Sequence, residues 1–362
     1  MLRDLLSEKC IWEKLRDERR HIFLYGTGNG ADKILNVCES YDINVSGVFA
    51  SSGFVRNRSF RNMPVRSIED IRAEFGDDII VLLAFGTTLD SVIENINEIA
   101  RRHTLLIPEV PLYGNELFDR KYFEDNIDEI LECESLFIDA ESKEVYRDMI
   151  KFRYTGEPKY LWRVQTPVEM YSSILGNSSI SKVLDCGAYK GDSAADIIEA
   201  LAPREIICFE PDPKTFLKLS AYAEGENRCR VIPMNYAAGS SNEFVEFSSS
   251  GSRGSGAEGK NKRAKMELIN IRTIDSLGTD DFDLIKLDVE GDEMAAIDGA
   301  LNTISICRPA LSISVYHRTS DIFKIPLRIN ACFTDYKFYM RRVPCIPAWD
   351  ISLVAIPKEK AR

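Results

Sequence analysis

The sequence predicts an α/β protein with two Rossmann-like domains joined by a helical bridge. Apolar runs alternate with amphipathic stretches in both halves of the 362-residue chain, a pattern typical of parallel sheets covered by helices. A glycine-containing turn follows the first apolar run of each half. The length allows two separate cores. We expect an N-terminal domain at 1–112, the bridge at 113–180 and a second domain at 181–362.

The elements of the first domain follow from apolar runs and turn residues. Residues 1–20 alternate apolar and charged side chains and predict an amphipathic helix. Ser67 is the expected cap of a further helix. The remaining pattern predicts strands at 21–25, 43–50, 79–85 and 104–107, with helices at 31–40 and 89–101.

The turn Gly26-x-Gly28-x-Gly30 resembles the dinucleotide fingerprint without matching its spacing. The second strand runs into Ser51 and carries no acid for an adenosine ribose, which disfavours a nicotinamide-dependent oxidoreductase. Three alternatives stay open for this domain: binding of a nucleotide-linked sugar, docking or homodimer formation, and a structural domain with an empty turn.

The bridge has helical periodicity at 123–131 and 143–152. We expect it to cover a ligand of the second domain as well as to join the two domains. A Gly/Ser-rich segment at 248–265 carries five basic residues, and two interpretations are open for it. It is either a surface loop or a lid over an acceptor of negative charge.

The second domain begins with a strand at 182–186 and a turn that contains Gly187 and Gly191. Asp192 or Ser193 is the expected cap of the following helix. A second strand ends at Glu210, whose carboxylate can accept hydrogen bonds from both ribose hydroxyls. A third strand leads into small residues, where a flat purine could lie. Together these features predict a nucleoside ligand.

A fourth strand, 283–291, carries three charged residues among apolar ones. Alternation places Lys286, Asp288 and Glu290 on one face. Charges on a central parallel strand are costly unless they are paired or in use. Their place near the carboxyl end of the strand therefore predicts a ligand site.

The order of these motifs resembles the FkbM-type family of S-adenosylmethionine-dependent methyltransferases. The resemblance spans about residues 116–358 and is carried by DCGAYKGDS, FEPDP, NYAAG, IDSL, IKLDVEGDE and RPALSISVYH. It implies that the second domain has the class I, seven-stranded methyltransferase fold. It also implies methyl transfer from S-adenosylmethionine, usually to a hydroxyl oxygen of a sugar or secondary metabolite. Nitrogen and carbon acceptors stay open.

With this resemblance, Asp185 is expected at the methionine end of the cofactor and Glu210 at its ribose. Gly187 and Gly191 would shape the pocket, and Tyr189 would stack on the ligand or close it. The expected cofactor-binding residues are Asp185, Gly187, Ala188, Tyr189, Gly191, Ser193, Glu210, Asp212, Asn235, Ala237 and Asp288.

His317 is the expected catalytic base, because it follows the fifth strand and an unperturbed histidine titrates at about 6.5. The Tyr-His pair at this place also fits the family pattern. Asp288 and Glu290 would hold the methionine ammonium or the acceptor hydroxyl, or share the base role, and Lys286 would neutralise one of them. The alternative for His317 is a hydrogen bond to a neighbouring carboxylate that only holds the loop.

The acids Asp288, Glu290, Asp292 and Glu293 could offer oxygen ligands to a divalent metal. Acids at a helix N-terminus are common for dipole reasons alone, and the family more often has a small residue at position 292. We therefore assign no metal ligands, and magnesium stays a minor alternative.

Composition limits the partners. Lys and Arg total 46 against 57 acids, a net charge of −11, which argues against nucleic acid. Nine cysteines without a Cys-x-x-Cys pair indicate a reducing cytoplasm, and no apolar run is long enough to span a membrane. We expect a cytoplasmic enzyme with a small-molecule or saccharide acceptor. A non-catalytic scaffold protein that retains the cofactor fold is the competing hypothesis.

Overall fold

The computed structural model describes residues 2–51, 58–176, 178–249, 265–278 and 281–360. Most of the segment predicted to be either a surface loop or a lid, residues 250–264, lies outside these ranges. The chain divides into two compact units. The first comprises residues 1–131, 144–164 and 344–349, and the second comprises residues 132–143, 165–343 and 350–362.

The first unit is built on a six-stranded sheet with the order β3-β4-β2-β1-β5-β6. The pairs in it are parallel except β3 with β4. The strands are β1 (Ile22–Tyr25), β2 (Gly47–Phe49), β3 (Ser59–Phe60), β4 (Met63–Arg66), β5 (Ile80–Leu83) and β6 (Thr104–Leu106). The helices are α1 (Ile11–Arg16), α2 (Asn29–Ser40), α3 (Ile68–Phe75) and α4 (Asp90–Arg102).

Most predicted elements of this unit are present with small shifts of their ends. Ser67 caps α3, and Asp70 reciprocates in a capping box. The expectation of one helix over residues 1–20 is wrong: a 3-10 helix (Leu2–Ser7) is followed by the separate helix α1. The break has a local cause, because the backbone N–H of Cys10 donates to Glu13 Oε2 at 2.9 Å and starts a new helix there.

The predicted helical periodicity of the bridge corresponds to α5 (Arg120–Leu136) and α6 (Ala140–Thr155). A 3-10 helix (Pro158–Leu161) and α7 (Pro167–Leu175) follow. Residues 113–180 are divided between both units, and do not form a third one. The boundaries at 112 and 180 stay predictions.

The second unit contains a seven-stranded sheet with the order β15-β16-β14-β13-β7-β8-β9, in which β16 is antiparallel to both neighbours. A three-stranded sheet has the order β10-β12-β11. The strands are β7 (Lys182–Cys186), β8 (Glu205–Phe209), β9 (Arg230–Met234), β10 (Ala237–Ala238), β11 (Glu243–Ser249), β12 (Lys265–Arg272), β13 (Leu284–Leu287), β14 (Ala310–Ser314), β15 (Tyr336–Arg342) and β16 (Ile351–Pro357).

The helices of the second unit are α8 (Asp192–Leu201), α9 (Pro213–Gly225), α10 (Glu293–Asp298), α11 (Leu301–Cys307) and α12 (Asp321–Cys332), with a 3-10 helix at Ile274–Leu277. The central strands β7 and β13 are almost wholly buried, and their mainly apolar sequences are interrupted by Asp185 and Lys286. This two-unit α/β architecture confirms the predicted fold class.

Neither predicted cap of α8 caps the helix. The residue before it is Gly191, in a left-handed conformation with φ 102°, and no side chain caps the first turn. The hydroxyl of Ser193 donates instead to Asp185 Oδ2 at 2.5 Å. A glycine in this conformation turns the chain sharply into the helix, so that Ser193 points back towards β7.

Candidate functional site

The carboxyl ends of β7, β8 and β13 open onto a cavity of about 280 Å³ within the second unit. Parallel sheets place ligands at this edge. Nine of the residues that the sequence predicted for cofactor or catalysis line it: Gly187, Tyr189, Ser193, Glu210, Asp212, Ala237, Lys286, Asp288 and Glu290. Five others, Asp185, Ala188, Gly191, Asn235 and His317, are not among the described lining residues.

The turn after β7 depends on glycine for a reason that the sequence did not indicate. Gly187 has φ 82°, and a Cβ there would lie 1.8 Å from the backbone oxygen of Asp288. At Gly191 a Cβ would lie 2.4 Å from Tyr222 Cδ1. These glycines therefore leave space for neighbouring segments of the chain itself. From the sequence we expected them to leave space for a ligand.

Behind this turn lies a buried ion pair. The carboxylate of Asp185 is fully buried, and its Oδ1 lies 3.1 Å from Lys286 Nζ. Lys286 also donates to the carbonyl oxygen of Gly187 at 3.1 Å and lies 3.6 Å from Asp288 Oδ2. Burial alone would lower the pKa of Lys286, but the two aspartates raise it above its ordinary value. Asp185 therefore supports the site from behind the cavity wall.

Glu210 reaches the cavity directly from the end of β8. Its Oε1 accepts a hydrogen bond from the backbone N–H of Asp212 at 2.8 Å. Burial raises the pKa of its carboxyl to about 7, and this hydrogen bond only partly offsets that effect. The amide of Asn235 donates to the carbonyl oxygens of Glu210 and Pro211 at 2.8 and 3.1 Å, so it fixes the backbone of this turn.

Asp212 lines the cavity and also stabilises the start of a helix. Its Oδ1 accepts hydrogen bonds from the backbone N–H groups of Lys214 and Thr215 at 2.9 and 3.0 Å. It is thus the cap of α9.

The charged residues after β13 gather around His317 although the strand itself ends at Leu287. His317 Nε2 lies 3.7 Å from Asp288 Oδ1 and 3.6 Å from Glu290 Oε2. On the other side of the ring, Nδ1 lies 2.8 Å from Oε1 of Glu293. Burial alone would lower the pKa of His317, but the three carboxylates, Glu293 most of all, raise it to about 9. The ring is therefore an imidazolium at neutral pH.

His317 stands at the strand edge where we expected it, but not in the cavity. Its side chain is 1% exposed, whereas those of Asp288 and Glu290 are 31% and 35% exposed and line the cavity. The imidazole thus lies behind the two carboxylates, and its raised pKa differs from the near-neutral value expected of a base.

The sequence left open a hydrogen bond from His317 to a neighbouring carboxylate without naming it, and the structure identifies that carboxylate as Glu293. Glu293 was interpreted as a helix-dipole acid, but its side chain is fully buried at the start of α10. Its Oε1 also accepts from the backbone N–H of Val289 at 2.8 Å. Donor atoms of Asp288, Glu293 and His317 lie within 4.8 Å of one another, close enough to hold a metal ion. The assignment of no metal ligand stays a prediction.

Further lining residues come from other parts of the second unit, among them α7, which belongs to the bridge that we expected to cover the ligand. Helix α7 contributes Pro167, Met170 and Tyr171. The three-stranded sheet contributes an apolar wall, which is formed by Val245, Ile269 and Ile271. Strands β14 and β16 and the residues beside them contribute polar groups, namely Ser312, Ser314, Tyr316, Asp350 and Ser352.

In the first unit, Gly26 and Gly28 precede α2, and Gly30 lies in its first turn. A Cβ on Gly30 would lie 2.5 Å from the backbone oxygen of Ala84, so this glycine allows helix and strand to pack closely. Gly26, with φ 117°, packs against Phe85, whereas a Cβ on Gly28 would meet nothing within 4 Å. Nucleotide binding by Gly26, Gly28 and Gly30 stays a prediction.

Residues 185–340 match the family model of the methyltransferase FkbM domain. The match contains the turn after β7, the Glu210 turn and the cluster around His317. It confirms the resemblance over this part of the second unit.

The structure of an FkbM methyltransferase from Methylobacillus flagellatus KT is similar over 98% of this chain and 96% of that chain, with 21% identity and a TM-score of 0.73. This similarity shows a shared fold across both units. Aeropyrum pernix fibrillarin matches with 11% identity, 52% and 73% coverage and a TM-score of 0.33. Thermotoga maritima spermidine synthase matches with 14% identity, 53% and 60% coverage and a TM-score of 0.33. No curated protein matches the chain significantly.

In the described part of the chain, none of the helices combines the length and apolarity needed to cross a bilayer.

Proposed function

We propose that the FkbM domain transfers a methyl group from S-adenosylmethionine to a hydroxyl oxygen of a sugar or similar hydroxylated metabolite. The observation that carries this proposal is the cavity itself. A buried carboxylate for a ribose, Glu210, and a pair of carboxylates for an acceptor, Asp288 and Glu290, line one cavity at the ligand-bearing edge of a methyltransferase sheet.

The donor set fits this cofactor. Glu210 would accept hydrogen bonds from the ribose hydroxyls, and Ala237 with the neighbouring apolar wall would lie against the purine. Acidic side chains outnumber the one cation of the described lining, Lys286; they are Asp192, Asp196, Glu210, Asp212, Asp288, Glu290, Asp292 and Asp350. Such a lining attracts a cationic ligand. When bound, S-adenosylmethionine supplies an electrophilic methyl carbon on a positively charged sulfur.

The chain's own part in the reaction is to orient the acceptor and remove its proton. Asp288 and Glu290 are the acidic groups that combine exposure to the cavity with contact to His317. We assign the proton of the acceptor hydroxyl to one of these carboxylates, with Glu290 favoured. Its backbone is held at φ 57°, and such strain on a non-glycine residue is typical of functional positions.

The same lining favours an uncharged acceptor. A phosphate or carboxylate near Asp288, Glu290 and Asp350 would meet like charge in a partly buried site. Among the acceptors that the family resemblance implies, a neutral sugar or a neutral hydroxylated metabolite therefore fits better than a nucleotide-linked sugar.

The direct test is calorimetric titration of the full chain with S-adenosylhomocysteine and, separately, with NAD. We expect saturable binding of S-adenosylhomocysteine alone. Methyl transfer from labelled S-adenosylmethionine is then followed with neutral glycosides and matched sugar phosphates. Binding of NAD without S-adenosylhomocysteine would reject the proposed cofactor, and transfer only to phosphorylated acceptors would reject the proposed acceptor class.

A matched pair of variants tests the acceptor end. Glu290→Gln removes the proposed proton acceptor, and we expect turnover to fall by about 10²-fold or more while S-adenosylhomocysteine still binds. Glu246→Gln, at an exposed position of β11, is the control and leaves turnover unchanged. If turnover in Glu290→Gln is unchanged, the role of proton acceptor is assigned to Asp288 instead. The variant Asp288→Asn then tests that assignment.

A further inference from the structure

We infer that Glu293 is a positioning residue for the acceptor end of the cavity. Its buried carboxylate fixes both the imidazole of His317 and the turn that carries Asp288 and Glu290. The inference deepens the proposed function and rests on the acceptor role assigned there to the two carboxylates.

One oxygen of Glu293 contacts two different groups. Oε1 of Glu293 lies 2.8 Å from His317 Nδ1 and accepts the backbone N–H of Val289 at 2.8 Å. Val289 stands between Asp288 and Glu290 in the sequence. One oxygen therefore ties the backbone of the acidic turn to the ring behind it.

Glu293 also sets the orientation of the imidazole ring. Because Nδ1 faces Glu293, Nε2 is directed to the opposite side, where it lies 3.7 Å from Asp288 and 3.6 Å from Glu290. A protonated imidazole at this place attracts both carboxylates and holds them side by side despite their like charges. A carboxylate that orients a histidine through Nδ1 is a general device for fixing its tautomer and direction.

Both members of the pair are buried. The side chains of His317 and Glu293 are 1% and 0% exposed. A buried charge is costly unless an opposite charge lies beside it. The carboxylate of Glu293 and the imidazolium of His317 therefore each stabilise the ionised form of the other. Removing the charge of Glu293 leaves an imidazolium that is desolvated and less compensated.

Other charged and titratable groups also face His317. Tyr316 packs on the ring with centroids 4.1 Å apart, and its hydroxyl donates to Asp288 at 3.5 Å. Lys286 lies on the far side of Asp288. Arg318 donates to the carbonyl oxygen of Gly291 at 2.6 Å and lies 3.7 Å from Asp292. Glu293 is the nearest of the acids to the ring, so its removal has the largest effect on the proton of His317.

The test is nitrogen-15 NMR of the full chain with labelled histidine, in wild type and Glu293→Gln. The chain has three histidines, so His317→Asn assigns the signal. We expect the wild-type ring to keep both protons up to about pH 9. In Glu293→Gln we expect it to titrate about one pH unit lower or more. The signal of His103, whose Nδ1 lies 2.7 Å from the backbone oxygen of Asp77, serves as the internal reference.

Turnover and cofactor binding complete the test. We expect turnover of Glu293→Gln to fall about 10- to 100-fold. As the pH rises, the variant is expected to lose its remaining turnover at a lower pH than wild type does. The dissociation constant for S-adenosylhomocysteine is expected to change less than about threefold. Glu13→Gln is the matched control, because Glu13 also accepts a backbone N–H, that of Cys10, and a cationic side chain, that of Arg120. It leaves His317 and turnover unchanged.

The inference is overturned if wild-type His317 titrates near its ordinary pKa, a result that needs no variant. It is also overturned if Glu293→Gln leaves the titration unaltered, or weakens cofactor binding as much as turnover. The NMR result does not depend on an acceptor. A failure of the proposed methyl transfer is therefore distinguishable from a failure of the positioning role.

Discussion

Glu210 shows how a single buried carboxyl couples ligand binding to pH. Few solvent molecules reach this group at the end of β8, and burial raises its pKa to about 7. Hydroxyl groups of a ribose donate to the ionised form and favour it. Ligand binding is then linked to release of a proton at any pH below about 7.

We therefore predict that S-adenosylhomocysteine binds more tightly as the pH rises through 7 and that its affinity is constant above about pH 8. Well below pH 7 the dissociation constant is expected to increase about tenfold per pH unit, because the carboxyl must first lose its proton. Calorimetric titration between pH 5.5 and 8.5 measures this. Glu210→Gln provides the control: its affinity is lower and shows no step near pH 7. An identical step in this variant would assign the titration to another group.

Lys286 and Asp185 offer a second prediction for individual residues. The pair is buried, with 3.1 Å between Nζ and Oδ1. Lys286→Met leaves the carboxylate of Asp185 buried without its cation, and we expect a loss of about 3–5 kcal/mol in the free energy of unfolding. The double variant Lys286→Met/Asp185→Asn is expected to recover much of this loss. Urea denaturation of the wild type, of the single variants Lys286→Met and Asp185→Asn and of the double variant gives the coupling energy. Additive effects of the two substitutions would contradict a direct interaction.

The sequence predicted which residues lie at the edge of the sheet, but it did not identify Glu293 as the partner of His317. The patterns placed Glu210, Asp288 and Glu290 correctly at one sheet edge, because the ends of parallel strands meet there. Whether a side chain faces the cavity or lies behind it depends on packing between β13, β14 and α10. Glu293 is separated from His317 by 24 residues, and no local pattern distinguishes a buried partner from an acid at a helix start.

At the level of elements, the turn after β7 is fixed by backbone packing. Gly187 combines φ 82° with a Cβ position 1.8 Å from the oxygen of Asp288. We predict that Gly187→Ala displaces the Asp288–Glu290 turn, abolishes cofactor binding and destabilises the second unit by more than about 3 kcal/mol.

Gly278 is a matched control for this variant. It also has a positive φ, 63°, but a Cβ there would meet nothing within 4 Å. Gly278→Ala is expected to cost only about 1–2 kcal/mol from backbone strain and to leave binding intact. Chemical unfolding and titration with S-adenosylhomocysteine compare the two. Equal losses in both variants would show that strain, not the contact with Asp288, dominates at Gly187.

The strands and helices themselves were largely predictable because their signals are local. Continuous apolar runs indicated β1, β5, β7, β8 and β13, and the Ser67 cap indicated α3. The three-stranded sheet was not predicted. Its exposed face carries Phe244 and Leu268 beside polar residues, so the alternation is blurred, and its parallel pairing of β10 with β12 joins distant segments. Such pairing is a tertiary property that a local pattern does not contain.

For the whole molecule, the division into units leads us to expect that a single cut after residue 180 does not release an intact second unit. The second unit includes residues 132–143, and Ser142 Oγ accepts hydrogen bonds from the backbone N–H of Met340 at 2.9 Å and from Arg341 at 2.7 Å. It also includes α7, whose Met170 and Tyr171 belong to the core and line the cavity.

We therefore predict that the fragment 181–362 does not bind S-adenosylhomocysteine, whereas the fragment 132–362 recovers binding at least in part. Without Ser142, two buried donors lose their acceptor at a cost of about 1–3 kcal/mol each, and without α7 the cavity loses one wall. Titration of both fragments and the full chain with S-adenosylhomocysteine measures this, with circular dichroism to show which of them fold. If the fragment 181–362 binds as tightly as the full chain, the boundary predicted at residue 180 is correct and α7 has no part in holding the cofactor.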